Sequence, residues 1–529
     1  MIYVVGSGPA GVSCAMALIK KGLQVTLLDA GIELEPERQQ VLQKLATHSR
    51  EEWDAASLNM IKGRTSASIS GIPVKYVYGS DFPYREADRL IPIEAKGAIG
   101  MPSLAKGGFS NAWGATCLPY LPADMADWPI SISDLAPHYE AVLSFMHLSA
   151  TRDNLETAFP LYSTRYRPLR PGRQAAALLR DLHAHQLALN AAGIFFGQSR
   201  LAVQAEATDG RPGCAYCGLC MYGCPYGLIY NASATLAQLQ RENNFHYVKG
   251  MVVRKVAETQ GRVRIFAESM TTRENLAFEG TRVYLACGVW STTKVVLESL
   301  EAYDRPVLMK DSQYFLFPLL RYEKARNVQR EDLYTLAQAF MDIIDPRLGG
   351  NAVHLELCTY NDLYLRAIQG ILGPTYPLFK VPVAEFLGRL VIAQGFLHSN
   401  VSAVISVRLL PGKGGAPSRL MLEAIPNPRT RRVIRGVLAK LFANRRYLKA
   451  VPLPAPLHIA EPGRSFHSGG AFPMRSNPGE YESDPLGRPY GFERVHIVDA
   501  TTFPSIPATT ITLSVMANAH RIASAYDDT

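Results

Sequence analysis

The chain has 529 residues, 47% of them hydrophobic and 19% charged, with a formal net charge of +9. This apolar content excludes a largely disordered chain, and the length is enough for more than one folding unit. The densest basic clusters, at 429–436 and 444–449, have helical spacing, which favours a solvated helix face; contact with an anionic membrane surface is the alternative.

The first 31 residues predict a dinucleotide-binding unit. The apolar run IYVV indicates a buried strand, a helix-spaced segment follows, and a second strand ends at Asp29. Between the first strand and the helix, Gly6, Gly8 and Gly11 form the pattern G-x-G-x-x-G. Gly6 would permit the tight turn, Gly8 would let the backbone approach a pyrophosphate, and Gly11 would let helix and strand pack closely. Asp29 would accept a hydrogen bond from a ribose hydroxyl; the pattern does not by itself choose between FAD and NAD.

The start of the chain lacks the basic region and the long apolar core of a secretory signal peptide. No uninterrupted apolar run reaches the roughly 18 residues that a membrane-spanning helix needs. A cytoplasmic protein is therefore expected. In a reducing compartment, clustered cysteines indicate metal or cluster ligation rather than a disulfide framework.

Four of the eight cysteines lie within eleven residues, in the stretch CAYCGLCMYGCP. Cys214, Cys217, Cys220 and Cys224 have the spacing C-x2-C-x2-C-x3-C-P of a bacterial ferredoxin. This spacing predicts a [4Fe–4S] cluster held by all four thiolates, or a [3Fe–4S] cluster held by three. A zinc site with four cysteine ligands is one alternative, and disulfides or unliganded thiols in a structural loop are another.

Three other stretches resemble the glucose–methanol–choline (GMC) family of oxidoreductases. The residues that match the family's flavin-side loop are Gly107, Gly108, Ser110, Asn111, Trp113 and Gly114. The stretch VYLACGVWSTTKVVLES, at 283–299, is similar to the family's strand, turn and helix that return to the nucleotide domain. In the closing segment, 491–523, Asp499 and Ala500 match a pair that in relatives meets the flavin phosphates or ribityl chain. A weaker match places Val253 against the adenine, although an ordinary buried strand residue is the alternative.

The resemblance implies FAD as the cofactor and an α/β fold. This fold has a Rossmann-like FAD-binding domain and a sheet-based substrate (cap) domain, the GMC oxidoreductase architecture. The FAD-binding domain is expected to be discontinuous, over residues 1–150, 200–305 and 460–529. The cap domain is expected over 306–459 with parts of 151–199, where alternating apolar segments predict strands.

The resemblance also assigns candidate catalytic residues. The family takes the hydroxyl proton with a histidine in a His-x-x-Gly-x-x-x-Met motif, which FHSGGAFPM matches with His467 as the base. The hydride of the substrate carbon would then go to flavin N5. Thr510 aligns with the position at which relatives carry His or Asn. Its hydroxyl could donate to the substrate oxygen. A shift of one residue in this alignment would select Thr509 instead. His458 is a reserve candidate for the base, with a structural role expected.

The implied function is that of an FAD-dependent dehydrogenase or oxidase acting on a CH–OH group. The substrate would be a small-molecule alcohol, in particular a sugar, polyol or glycoconjugate, and the electron acceptor a quinone, a redox protein or O2. Two alternatives stay open: a flavin and iron–sulfur protein that passes electrons to quinone, and a non-redox lyase or scaffold. No nucleic-acid partner is expected.

The segment 364–397 is apolar and contains three prolines. Its basic residues are Arg366, Lys380 and Arg389, and its one acid is Glu385. A buried segment of the cap domain is the favoured interpretation, because apolar segments mostly build cores. The alternative is peripheral contact with an anionic membrane surface.

Overall fold

The computed structural model describes residues 1–63, 68–69, 72–208, 210–412, 417–455 and 457–527. Its α-helices are α1 (Pro9–Lys20), α2 (Pro36–Thr47), α3 (Ala55–Lys62), α4 (Ala87–Leu90), α5 (Ile132–Phe145), α6 (Arg173–Ala184), α7 (Gln186–Ala191), α8 (Ala232–Leu239), α9 (Val289–Ser299), α10 (Asp362–Leu372), α11 (Tyr376–Leu387), α12 (Thr430–Ala443), α13 (Arg445–Leu448) and α14 (Thr512–Ser524). Its first eleven strands are β1 (Ile2–Val5), β2 (Val25–Asp29), β3 (Ser68–Ile69), β4 (Ile72–Pro73), β5 (Ile93–Lys96), β6 (Ile194–Gln198), β7 (Phe245–Lys249), β8 (Met251–Thr259), β9 (Arg262–Ser269), β10 (Asn275–Gly280) and β11 (Arg282–Leu285). The later strands are β12 (Pro306–Asp311), β13 (Tyr314–Arg321), β14 (Ala339–Ile343), β15 (Val353–Cys358), β16 (Leu390–Phe396), β17 (Val404–Leu410), β18 (Arg419–Ile425), β19 (Ala450–Pro452), β20 (His458–Ile459), β21 (Ser468–Gly469) and β22 (Val495–Ile497).

A five-stranded parallel sheet, in the order β22-β11-β1-β2-β7, carries the N-terminal unit. The strands β1 and β2 are buried along their whole length, as expected of parallel strands covered on both faces. The helix α1 packs on α14, where Ser13 Oγ donates to the carbonyl oxygen of Met516 (2.7 Å). The two ends of the chain therefore share one core.

Two smaller sheets flank this unit. The strands β10, β9 and β8 form an antiparallel sheet inserted between β7 and β11. A five-stranded sheet in the order β21-β12-β17-β18-β5 joins segments from both predicted domains, since β5 comes from the first 150 residues and β18 from the cap region. The two regions are therefore interleaved in the fold.

An antiparallel sheet of seven strands forms the cap. Its order is β19-β13-β16-β15-β14-β6, and β20 also pairs with β13. Side chains alternate between its faces. On β15, Val353, Leu355 and Leu357 enter the apolar core, whereas Glu356 and Cys358 face a large cavity. The fold therefore has a parallel sheet and a separate antiparallel cap sheet, each built from segments that are distant in sequence. This confirms the predicted fold class.

The segment 364–397 is not a buried cap segment, contrary to the favoured expectation. Only its final strand, β16, is mostly buried; α10 contains no buried residue and α11 buries only Val383 and Leu387. The expectation failed because apolar composition alone does not show whether a helix has a partner on its outer face. Among the described residues, no helix is long and apolar enough to cross a bilayer.

Candidate active site

One cavity of about 800 Å³ lies between the parallel sheet and the cap sheet. A volume of this order is typical of cofactor and ligand sites. Its lining includes the predicted site residues Gly6, Gly8, Asp29, Gly108, Ser110, Trp113, Val253, His467, Asp499, Ala500 and Thr510. The fold thus brings residues from both ends of the chain to a single site.

The glycine turn after β1 gives each glycine a different neighbourhood. Gly6 has a φ of +98°, which favours glycine, and a Cβ there would lie 2.5 Å from the carbonyl oxygen of Ala286. A Cβ on Gly11 would overlap the carbonyl oxygen of Gly6, so this glycine serves the contact of α1 with its strand and does not line the cavity. A Cβ on Gly8 would meet no described atom within 4 Å. Gly8 therefore borders open space at the N-terminus of α1, where an anion is stabilised.

The carboxylate of Asp29 lies at the end of β2 and lines the same cavity. Its Oδ2 accepts hydrogen bonds from Ser7 Oγ (2.5 Å) and Tyr247 OH (3.1 Å). Burial raises the pKa of Asp29 to about 6, and the hydrogen bonds from Ser7 and Tyr247 partly offset this rise. Val253, on β8, lines the cavity as a buried residue.

The loop at 107–114 lines the cavity only in part. Gly107 and Asn111 do not line it, and their predicted role in cofactor binding stays a prediction. Gly107, with a φ of +85°, donates its backbone N–H to Ser7 Oγ (2.9 Å). Asn111 donates to two carbonyl groups of its own loop. These two residues shape the loop, because their hydrogen bonds point into the protein.

The other loop residues face the cavity and are fixed by the chain behind them. Ser110 Oγ accepts from the N–H of Ala232 (2.9 Å), which ties the loop to the start of α8. Trp113 Nε1 donates to the carbonyl oxygen of Tyr230 (2.9 Å). The indole is therefore held in one orientation at the cavity wall.

Asp499 has a positioning role that the sequence did not indicate. Its Oδ2 accepts from Gly288 N (3.0 Å) and Thr292 Oγ1 (2.5 Å) at the start of α9. Its Oδ1 accepts from the backbone N–H and the hydroxyl of Thr501. Four donors thus occupy the carboxylate, which joins α9 to the closing segment, and Ala500 beside it lines the cavity.

His467 lines the same cavity as Gly8. Its ring lies 5.1 Å from that of Phe396, and its Nδ1 is buried without a hydrogen-bond partner in the described chain. Burial, and to a lesser extent the neighbouring His354, lower the pKa of His467 to about 4. The imidazole is therefore neutral near pH 7 and able to accept a proton.

Thr510, and not Thr509, lines the cavity. Its hydroxyl donates to the carbonyl oxygen of Thr116 (3.0 Å). In this arrangement the hydroxyl proton is already used, so Thr510 offers a substrate an acceptor and not the donor that its alignment suggested. His458, the reserve candidate, lies on β20 and does not line the cavity.

Sequence reasoning missed several ionisable residues of the cavity, among them Glu356 and Lys75. Glu356, on β15, accepts a hydrogen bond from Thr116 Oγ1 (2.7 Å), and burial raises the pKa of its carboxyl group. Lys75 donates to the carbonyl oxygen of Trp113 (3.2 Å), and burial lowers its pKa to about 8. The alternation of VHLELC could have placed Glu356 on one face of a strand, but no sequence signal marks Lys75.

A buried ion pair lies behind the catalytic candidate. His354 Nδ1 is 3.0 Å from Asp342 Oδ1, and both side chains are fully buried. Burial opposes the charged imidazolium, but Asp342 outweighs it, so the pKa of His354 is raised. A charge on His354 accounts for part of the low basicity of His467.

The four clustered cysteines are free thiols in the structure. Backbone N–H groups point at two of them: Thr335 N lies 3.4 Å from Cys220 Sγ, and Leu228 N lies 3.4 Å from Cys224 Sγ. Within the ranges described, no group of three or more His, Cys, Asp or Glu side chains is arranged to hold a metal ion. The geometry therefore gives no support to the iron–sulfur cluster, which stays a prediction.

No family model and no curated protein matches the chain. Among solved structures, pyridoxine 4-oxidase from Mesorbium loti is similar over 99% of this chain and 98% of its own, with a TM-score of 0.59 and 15% identity. Formate oxidase is similar over 99% of this chain and 97% of its own, with a TM-score of 0.58 and 14% identity. A mutant of the Aspergillus oryzae RIB40 formate oxidase, described for its effect on FAD modification, gives the same values.

The chain has the fold of these oxidases. The likeness extends over the whole length, so it includes the cap as well as the nucleotide-binding unit. At this level of identity it shows the architecture alone, and the chemistry has to be argued from the site.

Proposed function

We propose that the protein is an FAD-dependent oxidoreductase that oxidises a CH–OH group of a small molecule. The observation that carries this proposal is the continuity of the cavity. It extends from the open space at Gly8 to His467, whose Nδ1 has no hydrogen-bond partner among the described residues, so a dinucleotide and a substrate would meet inside it. The solved structures that share the fold are named as oxidases of pyridoxine and formate, which agrees with this chemistry.

The residues present fit FAD. Gly8 leaves the space that a pyrophosphate needs, beside the N-terminus of α1, and Asp29 lies at the end of the next strand for a ribose. Bound FAD would supply a two-electron acceptor for the hydride of the substrate carbon. The loop at Ser110 and Trp113 and the backbone at Ala500 would border it.

The chain's own residues account for the proton. His467 is neutral and buried, so it accepts the hydroxyl proton of the substrate on its imidazole. Thr510 and Glu356 are both hydrogen-bonded to Thr116. The hydroxyl of Thr510 donates to the carbonyl oxygen of Thr116, and Glu356 accepts from the hydroxyl of Thr116. This pair offers acceptors that would orient a second polar group of the substrate.

The cavity favours an alcohol with an apolar part. The cap strands contribute Tyr314, Leu316, Ile392 and Phe396 to the lining, and Glu356 and Gln394 are the polar residues among them. A sugar, polyol or glycoconjugate stays a prediction, and a bare polyol would leave hydroxyl groups against this apolar wall. A quinone, a redox protein or O2 would reoxidise the flavin.

Anaerobic reduction of the bound flavin tests the proposal. A panel of alcohols should include aromatic alcohols, sugars and polyols, with bleaching of the flavin absorbance as the signal. With an active alcohol, His467→Ala should retain flavin and slow bleaching by roughly 10²–10⁴. His458→Ala is the matched control, because it removes a histidine outside the cavity, and it should reduce at the wild-type rate.

The other outcomes separate the alternatives. Bleaching by a reduced redox protein but by no alcohol would select an electron-transfer protein. A flavin that no donor reduces would select a lyase or scaffold. Equal rates for His467→Ala and the wild type would remove His467 from the mechanism.

A further inference from the structure

An apolar surface covers the outer side of the hairpin formed by α10 and α11, residues 362–387, called here the apolar hairpin. Its most exposed apolar side chains are Ile371, Leu378 and Val381, which are 83%, 81% and 72% exposed. Phe379 and Phe386 are exposed as well. Single exposed apolar residues are ordinary, but five on one short hairpin form a surface that favours a partner.

The inner side of the apolar hairpin shows that it is folded and not loose. On α11, Val383 and Leu387 are buried against Tyr360 and Leu390 of the cap. The partly buried side chains that complete this contact are Tyr364, Leu365, Ile368, Leu372 and Tyr376. Apolar residues therefore lie on both sides of the hairpin, and only the inner set is explained by the packing of the chain.

The apolar hairpin also borders the active-site cavity. Leu363, Tyr364, Arg366 and Ala367, all on α10, line that cavity. The helix therefore has one side toward the cavity and another toward the surroundings. Whatever covers the hairpin would lie beside the cavity wall.

The charges near the hairpin favour an anionic partner. Its two acids are already bound by basic residues of the rest of the chain, Asp362 by Lys62 (2.8 Å) and Glu385 by Lys324. Lys380 projects from the exposed side, and no ion pair of it occurs among the described residues. Arg389 follows the hairpin directly, but it is half-buried and its guanidinium donates to the carbonyl oxygen of Tyr322. The surface thus combines exposed apolar side chains with uncompensated positive charge.

We infer that the apolar hairpin docks the protein on an anionic lipid surface. Ile371, Leu378 and Val381 would enter the boundary between headgroups and acyl chains, and Lys380 would contact the headgroups. The twelve residues of α11 would lie along the surface over about 18 Å, since a helix rises about 1.5 Å per residue. A second copy of the chain would also cover apolar residues, but two such hairpins would bring their positive charges together.

The docking stands on the hairpin alone, whereas its consequence for substrates rests on the proposed function. If the cavity is the oxidation site, an amphipathic alcohol or a lipid-soluble electron acceptor would enter it from the lipid side, past α10. Docking is therefore tested by a measurement that does not depend on turnover.

Flotation of the flavin-loaded protein with vesicles provides this measurement. The vesicles are phosphatidylcholine alone, or phosphatidylcholine with phosphatidylglycerol, at low and at physiological salt. Wild-type protein should float with the anionic vesicles. Leu378→Glu combined with Val381→Glu should reduce the floating fraction at least about tenfold, because two charges would have to enter the interface. Lys380→Glu should weaken binding to the anionic vesicles and leave binding to the neutral ones unchanged.

Leu187→Glu combined with Leu308→Glu is the matched control. These leucines are also exposed, on α7 and β12, so the control adds the same two charges away from the hairpin. It should float as the wild type does. Retained flavin and an unchanged far-ultraviolet spectrum would show that each variant is folded.

Three results would overturn the docking. The first is wild-type protein that stays at the bottom of the gradient with both kinds of vesicle. The second is a hairpin double variant that floats as well as its control. The third is a wild-type dimer in sedimentation that the hairpin variant converts to a monomer without any vesicle binding, because a second copy would then be the partner.

Discussion

The replacement of Gly8 by alanine separates the binding of a ligand from the stability of the turn. Gly8 has φ of −66° and ψ of 179°, a conformation that alanine adopts without strain. A methyl group there would meet no described atom within 4 Å. The cofactor-free variant should therefore be as stable as the wild type or more stable by about 0.4–1 kcal/mol, since alanine reduces the entropy of the unfolded chain.

The same methyl group would occupy the space proposed for the pyrophosphate. We expect Gly8→Ala to bind FAD at least about tenfold more weakly, a loss of about 1.4 kcal/mol. Gly11→Ala is the contrasting variant, because its Cβ would overlap Gly6 O and lie 3.0 Å from Gly6 C. The steric overlap should lower the free energy of unfolding of Gly11→Ala by about 1–3 kcal/mol. The higher helix propensity of alanine would return at most about 1 kcal/mol, so the variant should be less stable than the wild type.

Two measurements on each variant check this reasoning. Urea unfolding of the cofactor-free proteins gives stability, and titration with FAD, followed by quenching of flavin fluorescence, gives affinity. Gly11→Ala should lose stability before any FAD is added, whereas Gly8→Ala should not. A Gly8→Ala protein that binds FAD with wild-type affinity would refute the placement of the phosphates.

Three further predictions concern the buried ionisable groups. Because the pKa of His467 is about 4, the rate of flavin reduction by substrate should be independent of pH well above this value and should fall as the pH approaches it. Stopped-flow measurements can follow this rate. A rate that already falls near pH 6.5 would contradict the argument that burial lowers the pKa. His354→Leu should lower the free energy of unfolding by about 3–5 kcal/mol, since it leaves the Asp342 carboxylate buried and unpaired, and His354→Leu with Asp342→Leu should recover most of that loss in urea unfolding. All eight cysteines should react as thiols after anaerobic unfolding. Iron together with acid-labile sulfide in the protein would instead support the cluster, and fewer than eight reactive thiols without iron would support a disulfide.

The strand, glycine turn and helix at 2–20 could be predicted from sequence because their parts are local. Gly6, Gly8 and Gly11 act within one strand–turn–helix unit, and the positions of their backbones follow from that unit alone. The prediction for His467 depended on a resemblance, and the structure places it in the same cavity. For these residues, a short sequence motif was enough to predict their place in the fold.

Glu356 and Lys75 could not be predicted in this way. The side of the cap sheet that Glu356 faces depends on the pairing of β15 with β14 and β16, which are distant in sequence. Lys75 is buried by contacts with the loop at Trp113. The orientation of Asn111 could not be predicted for a related reason, because a loop residue beside a cavity can point either into it or back into its own turn.

The packing of α1 on α14 has a consequence for the biogenesis of the protein. The glycine turn is synthesised well before Asp499, Ala500 and Thr510, which line the same cavity. A nascent chain therefore carries an incomplete cavity until these three residues have emerged and packed against it. If the cavity binds flavin as proposed, loading must follow their synthesis, and a chain truncated before Asp499 would contain most of the fold and yet be colourless.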